Sequence, residues 1–246
     1  MALSSQFNYA QKRCLSNVGQ ILHKTAMLRP GCRVGVAVSG GMDSSVLLQT
    51  LLIRRRKIPF HFDIMALHIN PGFARTNHVP FLDWLKRLGV SAHAEVTDIG
   101  PRAHTRENKK NSPCLYCSML RRKALFELCR KYRLTHLAFG HNADDLVSTF
   151  FMNLFQGGKV SGMSAKQDFF GGNLEVVRPL LLARKEHIRS AARKWKIPVI
   201  ENPCPSAEST NRAEVWEWLE EYTKGNRRRK NNLFNGLRRW QLDLDT

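Results

Sequence analysis

The stretch SGGMDS, from Ser39 to Ser44, combines residue types that bind phosphate groups. Gly40 and Gly41 let the backbone adopt positive φ angles and approach a ligand closely, while Ser39 and Ser44 add hydroxyl donors. The stretch lies between a β-branched run and a leucine-rich run, so it is expected to connect a strand to a helix. The N–H groups of such a loop and of the first helical turn converge on one point that favours anions. We expect this loop to bind a pyrophosphate group.

Two residues distinguish this loop from commoner phosphate loops. Met42 and Asp43 stand where a Walker A loop has Lys and then Ser or Thr, and the G-x-G-x-x-G spacing of dinucleotide-binding turns is missing. A carboxylate beside phosphate groups is repelled unless a cation lies between them, so Asp43 indicates Mg²⁺ that bridges its carboxylate and the phosphates. On local chemistry alone, a plain strand-to-helix turn capped by Asp or Ser is the alternative.

A second polar cluster, GHNADD at residues 140–145, contains His141, Asp144 and Asp145. It is expected to follow the fourth strand of the sheet. If that strand lies beside the first one, Asp43, Asp144 and Asp145 come close to one nucleotide. An Asp pair at the start of a helix commonly caps free N–H groups. We therefore expect one of the two to cap the helix and the other to contact metal or substrate, with the assignment open.

Three of the six cysteines are placed for metal or redox chemistry. Cys114 and Cys117 lie one turn apart at the start of a helix, where the helix dipole favours thiolates, and Cys204 follows the last expected strand. Structural zinc normally has four protein ligands, whereas a [4Fe–4S] cluster on three cysteines leaves one iron open. A zinc half-site, a redox pair and chance spacing remain alternatives. The other cysteines are expected to pack in the core: Cys14, Cys32 and Cys129.

Positioning these residues requires an α/β scaffold. Strand-like runs alternate with helical patterns along the chain, which predicts a doubly wound, mostly parallel sheet with right-handed crossovers. The expected strands are residues 33–38, 60–69, 91–97, 136–139, 174–177 and 198–200.

Three segments are expected along the chain. Residues 1–30 form an N-terminal helix packed on the core, residues 31–223 form the nucleotide-binding domain, and residues 224–246 form a loosely attached basic tail. Within the domain, the polar stretch 100–113 is expected to be a mobile loop.

The charge of the chain points to a polyanionic partner. Its 39 Lys and Arg residues against 20 Asp and Glu residues give a net charge of +19, which favours nucleic acid over the alternative of solvated helix faces. No run of about eighteen consecutive apolar residues occurs, and the N-terminus lacks the order of a secretory signal. We expect no membrane partner and a cytoplasmic location.

Taken together, the motifs resemble the tRNA 2-thiocytidine synthetase family of the PP-loop ATP-pyrophosphatase superfamily. The resemblance runs from about residue 9 to about residue 218 and rests on SGGMDS, PCLYCSMLRR, LAFGHNADD, NLFQGGKVSGM, VVRPL and NPCPS. It implies that ATP is bound by Ser39, Gly40, Gly41, Met42, Asp43, Ser44 and His141. It also implies a [4Fe–4S] cluster on Cys114, Cys117 and Cys204, whose open iron carries sulfide.

The resemblance further implies a reaction and its partners. The C2 oxygen of a cytidine in the tRNA anticodon loop would be adenylated, and sulfide would then displace AMP. Besides tRNA, a sulfur donor is expected, either a cysteine desulfurase or sulfide itself, and a homodimer is left open. Two departures bear on this: Met42 replaces a common Lys, whose role could pass to Lys159, and Cys204 stands alone where a further C-x-x-C is frequent. Lysidine-type ligation, an ATP-independent cluster-containing desulfurase or sulfide carrier, and non-catalytic RNA binding are the rival functions.

Overall fold

A computed structural model describes residues 7–110, 112–201, 203–206 and 211–242 of the chain. Its centre is a six-stranded sheet with the order β3-β2-β1-β4-β6-β5. All neighbouring pairs are parallel except β5 with β6. The α/β class and the mostly parallel sheet are therefore confirmed. The strands are β1 (Arg33–Ala37), β2 (Asp63–Asn70), β3 (Ser91–Val96), β4 (His136–Ala138), β5 (Lys166–Phe169) and β6 (Leu174–Val177).

Helices cover both faces of this sheet. On one face Val36 packs in a cluster that includes Leu47, and on the other Leu137 packs in a cluster that includes Leu128. Strands buried on both faces consist of apolar residues without strict alternation, which is why β1 and β4 could be recognised from short apolar runs. The helices are α1 (Tyr9–Lys24), α2 (Met42–Arg55), α3 (Val79–Arg87), α4 (Ile99–Ala103), α5 (Pro113–Lys131), α6 (Ala143–Gly157), α7 (Lys185–Lys194), α8 (Asn211–Thr223) and α9 (Arg227–Leu242).

The first helix begins as its sequence predicts. Asn8 caps α1, and it forms a reciprocal capping box with Gln11, which satisfies backbone donors at the helix start. The division of the chain at residues 30 and 223 remains a prediction, and residues 1–6 lie outside the described residues. Within the described ranges, no helix is both long enough and apolar enough to span a bilayer.

Two expectations about strands are wrong. Residues 198–200 do not form a strand; instead the N–H of Ile200 donates to the carbonyl oxygen of Gly40 at 2.9 Å. The antiparallel edge strand β5 was not predicted, because its sequence KQDF lacks the apolar run that marks the buried strands. An edge strand with one exposed side carries a weaker hydrophobic signal than a central one.

Two expectations about irregular segments also need correction. The tail is not loosely attached over residues 227–242, since these form α9, whose Phe234, Leu237 and Leu242 are buried. Residues 243–246 lie outside the described residues. The start of the expected loop 100–113 belongs to the short helix α4, and residue 111 also lies outside them.

Candidate active site

The SGGMDS loop and the GHNADD cluster meet at one edge of the sheet. They follow β1 and β4, which are neighbouring parallel strands, so their carboxyl ends share one rim. A Cβ atom on Gly140 would lie 2.7 Å from the backbone nitrogen of Ser44 and 2.8 Å from its Cα. Only glycine fits this approach without displacing the loop. The two motifs therefore lie side by side, as expected from the sequence.

The phosphate loop is held by its own hydroxyl groups. The hydroxyl oxygen of Ser44 accepts from the N–H of Ser39 at 3.1 Å, and that of Ser39 accepts from the N–H of Gly41 at 3.2 Å. Gly40 has a φ of 84°, in the left-handed region that favours glycine. Gly41 is the N-cap of α2 and supplies no side-chain cap, so this helix start keeps N–H groups that an anion can accept from. Met42 is the first residue of α2 and packs against the core.

The carboxylate of Asp43 is bound by a lysine from a distant part of the chain. Lys185 Nζ forms an ion pair with Asp43 Oδ2, while Asp43 Oδ1 is buried and has no hydrogen-bond partner in the described part of the protein. Burial raises the pKa of Asp43, and Lys185 opposes that rise. An unpartnered buried carboxylate oxygen fits a hard cation such as Mg²⁺. Sequence reasoning missed Lys185, which stands 142 positions from Asp43.

Asp144 and Asp145 occupy different places at this rim. Asp145 accepts from the N–H of Asn142 at 3.0 Å and closes a capping box on its own helix, α6. Asp144 instead accepts from the backbone N–H of Lys185 at 2.6 Å, at the start of α7. Arg212 also donates to Asp145 at 3.0 Å. Both carboxylates therefore stabilise helix starts, and their further roles in catalysis remain predictions.

His141 is an uncharged imidazole surrounded by cations. Burial and, to a smaller extent, nearby Arg178, Arg212 and Arg122 together lower the pKa of His141 to about 3. Its Nδ1 atom is buried and has no hydrogen-bond partner within the described ranges. Three arginines from separate parts of the chain thus act on His141, in the cluster that adjoins the phosphate loop, and arginines suit a polyphosphate ligand. Arg178 in VVRPL and Arg122 in PCLYCSMLRR stand in the motifs, whereas Arg212 does not.

The segment that carries Cys204 lies against the phosphate loop. A Cβ atom on Gly40 would lie 2.2 Å from the Cδ1 atom of Ile200, and the N–H of Ile200 donates to the Gly40 carbonyl oxygen. Cys204 follows four positions later along the chain. The structure therefore places the beginning of the cysteine segment in direct contact with the nucleotide loop.

Cys114 and Cys117 begin a helix at the same rim. Helix α5 ends shortly before β4 starts, so its first turn lies at the opposite edge, where β1 and β4 end. Cys204 Sγ lies 3.9 Å from His104 Nε2, and Cys114 Sγ lies 4.0 Å from the carbonyl oxygen of Ser206. Cys204 raises the pKa of both Cys114 and Cys117, so the three thiols are close enough to act on one another. The three other cysteines are buried, as predicted: Cys14, Cys32 and Cys129.

The pKa directions of these thiols differ from the expectation at a helix start. Burial raises the pKa of Cys114, and Cys204 raises it further. Burial also raises the pKa of Cys117, with a smaller lowering by Arg121 and further rises from Cys204 and Cys114. The causes of both rises are partial burial and the neighbouring thiols. Among the residues described, no group of three or more His, Cys, Asp or Glu side chains is arranged to hold a metal ion. The donor set nevertheless has the chemistry of an iron–sulfur ligand set.

Comparison with known proteins gives consistent matches. A family model described as a PP-loop domain matches residues 10–219. The tRNA-cytidine(32) 2-sulfurtransferase of Burkholderia cenocepacia (strain HI2424) is 34% identical over 230 residues, which cover 92% of this chain and 69% of that protein. The protein of the same name from Cupriavidus taiwanensis is 32% identical over 242 residues, which cover 97% of this chain and 78% of that protein.

Solved structures share the fold. The U34-tRNA thiolase NcsA from Methanococcus maripaludis, solved with its [4Fe-4S] cluster, has a TM-score of 0.74 and 22% identity, and the match covers 98% of this chain and 83% of that one. An NH3-dependent NAD synthetase from Campylobacter jejuni has a TM-score of 0.50 and 15% identity, with 96% and 94% covered. At these identities the matches establish a common architecture.

Proposed function

This chain belongs to the PP-loop family that includes the tRNA-cytidine 2-sulfurtransferases, and we propose that it adenylates the C2 oxygen of an anticodon-loop cytidine in tRNA and replaces that oxygen with sulfur. Enzymes of this family thiolate tRNA. The net charge of +19 supports a tRNA substrate. Adenylation of the oxygen and its replacement by sulfur are proposed from the residues at the sheet edge where β1 and β4 end.

One observation carries the proposal. The cysteine segment contacts the phosphate loop through Ile200 and Gly40, while the GHNADD cluster contacts the same loop through Gly140. Thiolation requires an activated oxygen and a sulfur nucleophile to meet at one carbon atom, and holding two reactants in place supplies much of a catalyst's effect. A single loop with both neighbours supports that arrangement.

The chain's own residues account for activation of the oxygen. N–H groups at the start of α2 bind the phosphates, and Lys185 supplies positive charge beside Asp43. Charge that develops on the leaving pyrophosphate is stabilised by such fixed donors and cations. Mg²⁺ at the open oxygen of Asp43 is part of this proposal.

Lys185 also accounts for the missing lysine at position 42. Lys159 was the expected replacement, but it follows the C-terminal end of α6, whose first residue, Ala143, is at the rim. At about 1.5 Å per residue, a helix of 15 residues is about 22 Å long, which leaves Lys159 far from the phosphates. Lys185 already contacts the loop.

Cys114, Cys117 and Cys204 would hold the [4Fe–4S] cluster, which supplies an iron atom open to sulfide when it is bound. The raised pKa values of Cys114 and Cys117 mean that these thiols must release protons to become ligands. The NcsA structure supports the proposal to the extent that a thiolase of the same fold carries such a cluster. A cysteine desulfurase or sulfide as donor, and a homodimer, remain proposals.

The test is nucleoside mass spectrometry of tRNA from cells that lack the gene and are complemented by variants. Wild-type protein should restore 2-thiocytidine, and Asp43→Asn should lower it by about 10²-fold, because a charged group that supports the transition state is lost. Asp83→Asn on α3, an exposed carboxylate with 53% of its side chain accessible, is the matched control and should behave like wild type.

Three results would contradict the proposal. Full activity of Asp43→Asn would remove the nucleotide site from the reaction. Restoration of lysidine instead of a thiolated base would support ligation, and thiolation without AMP release from labelled ATP would support the ATP-independent alternative.

A further inference from the structure

A large polar cavity lies beside the active-site rim, between the first and last helices of the described chain. Its volume is about 1110 Å³, and residues of α1, α7 and α9 line it together with Asp144 and Asp145. Lys185 also lines it, and the same side chain is ion-paired with Asp43 of the phosphate loop. We name it the α1–α9 cavity. It adjoins the proposed site through Lys185, Asp144 and Asp145, which belong to both.

The α1–α9 cavity contains more positive charge than its acids neutralise. Two of its acidic side chains are already paired with cations: Asp145 pairs with Arg212, and Glu220 pairs with Lys230. In the part of the chain that the structure describes, five lining arginines have no ion pair: Arg13, Arg184, Arg189, Arg227 and Arg238. These positive charges come from α1, from α7 and its N-cap, and from α9.

Several of these cations share one stretch of the cavity with His187. Arg13, Arg184 and Arg227 line the cavity together with this histidine. Burial lowers the pKa of His187, Glu186 opposes this, and the three arginines add to the lowering. Gathering like charges costs free energy unless an anion joins them, so this cluster favours a negatively charged ligand.

Arg184 is held in place by uncharged neighbours. Its Nη2 donates to Asn231 Oδ1 at 2.9 Å, and its guanidinium carbon lies 4.5 Å from the centre of the Phe234 ring. Asp144 and Glu186 act on its charge electrostatically, but neither forms an ion pair with it in the described part of the chain, so the guanidinium can still bind a ligand. The amides of Asn17, Gln20 and Asn235 also line the cavity, and amides can bond to sugar hydroxyl groups and phosphate oxygens.

We propose that the α1–α9 cavity binds the sugar–phosphate backbone of the tRNA next to the nucleotide that is modified. This inference rests on the proposed function, because it takes tRNA as the substrate. Most lining side chains are cations, acids and amides, and the cations and amides suit phosphates and ribose hydroxyls. The aromatic rings that could stack on a base are a minority: Tyr9, Trp216 and Phe234. Helices α1 and α9 thus form one RNA-binding element, although they lie at opposite ends of the chain.

The experiment measures binding of the full chain to total tRNA from cells that lack the gene, without ATP, over a range of salt concentrations. The double variant Arg13→Gln, Arg227→Gln removes two exposed charges and should lower affinity by about 10-fold. It should also reduce the slope of log Kd against log salt by about 1 to 2, since about one counterion is released per phosphate contact. Thermal unfolding confirms that the variant is folded.

The matched control is Arg55→Gln, Arg56→Gln, which removes two exposed charges at the end of α2, away from the rim. Equal affinities and slopes for the two double variants would overturn the inference, and so would loss of ATP binding with intact tRNA binding, which would assign the cavity to the nucleotide. Failure of the proposed function is separate: wild-type protein would then bind tRNA but form no thiolated base.

Discussion

The phosphate loop and the cysteine site differ in how much of their arrangement the protein itself supplies. The phosphate loop is bonded internally through Ser39 and Ser44 and is packed closely against Gly140. The three thiols are neighbours, but the described residues contain no assembled metal site, and Cys114 is exposed. The first region is preorganised for a ligand that comes and goes. The second is a set of donors whose final geometry a bound cluster would complete.

Substitution of the three cysteines is expected to have the largest effect and to disable only the cysteine site. Cys114→Ser, Cys117→Ser and Cys204→Ser should each remove iron and reduce thiolation to background, because a cluster held by three protein ligands depends on each of them. Binding of ATP should persist, since the phosphate loop is formed without the cluster. Iron content, absorbance near 400 nm in anaerobic protein and ATP titration measure these effects.

Cys129→Ala is the control for that comparison. It removes a buried thiol from the same helix, so it should retain iron and lose only stability. If one of the three Ser variants kept both its iron and full thiolation, that residue would not be a ligand.

A smaller effect is expected where the phosphate loop is most tightly packed. Gly140→Ala places a methyl group 2.7 Å from the Ser44 nitrogen, which should lower the free energy of unfolding by about 1–3 kcal/mol and weaken ATP binding. Gly236→Ala on α9 meets no atom within 4 Å and should raise stability by up to about 1 kcal/mol. Denaturant unfolding of the two variants compares them, and equal stabilities would contradict the tight approach of the two loops.

The smallest effect concerns the ionisation of the thiols. Because the pKa values of Cys114 and Cys117 are raised, both are mainly protonated at neutral pH, and only the thiolate is alkylated. Their alkylation in cluster-free protein should rise about tenfold per pH unit between pH 7 and 9. Peptide mass spectrometry after timed iodoacetamide treatment follows both sites. A rate that is already constant above pH 7 would indicate depressed pKa values instead.

Much of the fold followed from local patterns. Apolar runs located five of the six strands, and the expected N-terminal helix corresponds to α1. Edge strand β5 was missed because exposed strands carry little hydrophobic signal. The tail was misjudged because its basic residues mask a face on which only Phe234, Leu237 and Leu242 are buried.

Within the site, sequence identified the residues of the two loops and the cysteine pair, but not their cationic partners. Lys185 and Arg212 reach Asp43 and Asp145 from 142 and 67 positions away. Neither stands in a motif that marks its role. The raised pKa values of Cys114 and Cys117 could not be read from the sequence, because burial and the approach of Cys204 depend on neighbours that meet only in the folded chain.

By itself the sequence determined which residues can bind phosphate, which thiols can bind metal, and that strands and helices alternate. These properties arise from side-chain chemistry and from contacts among near neighbours in the chain. Only the tertiary structure decided that Lys185 forms an ion pair with Asp43 and that α1 and α9 line one basic cavity. Such pairings depend on strand order and helix packing, which bring distant residues together through the burial of many apolar side chains at once.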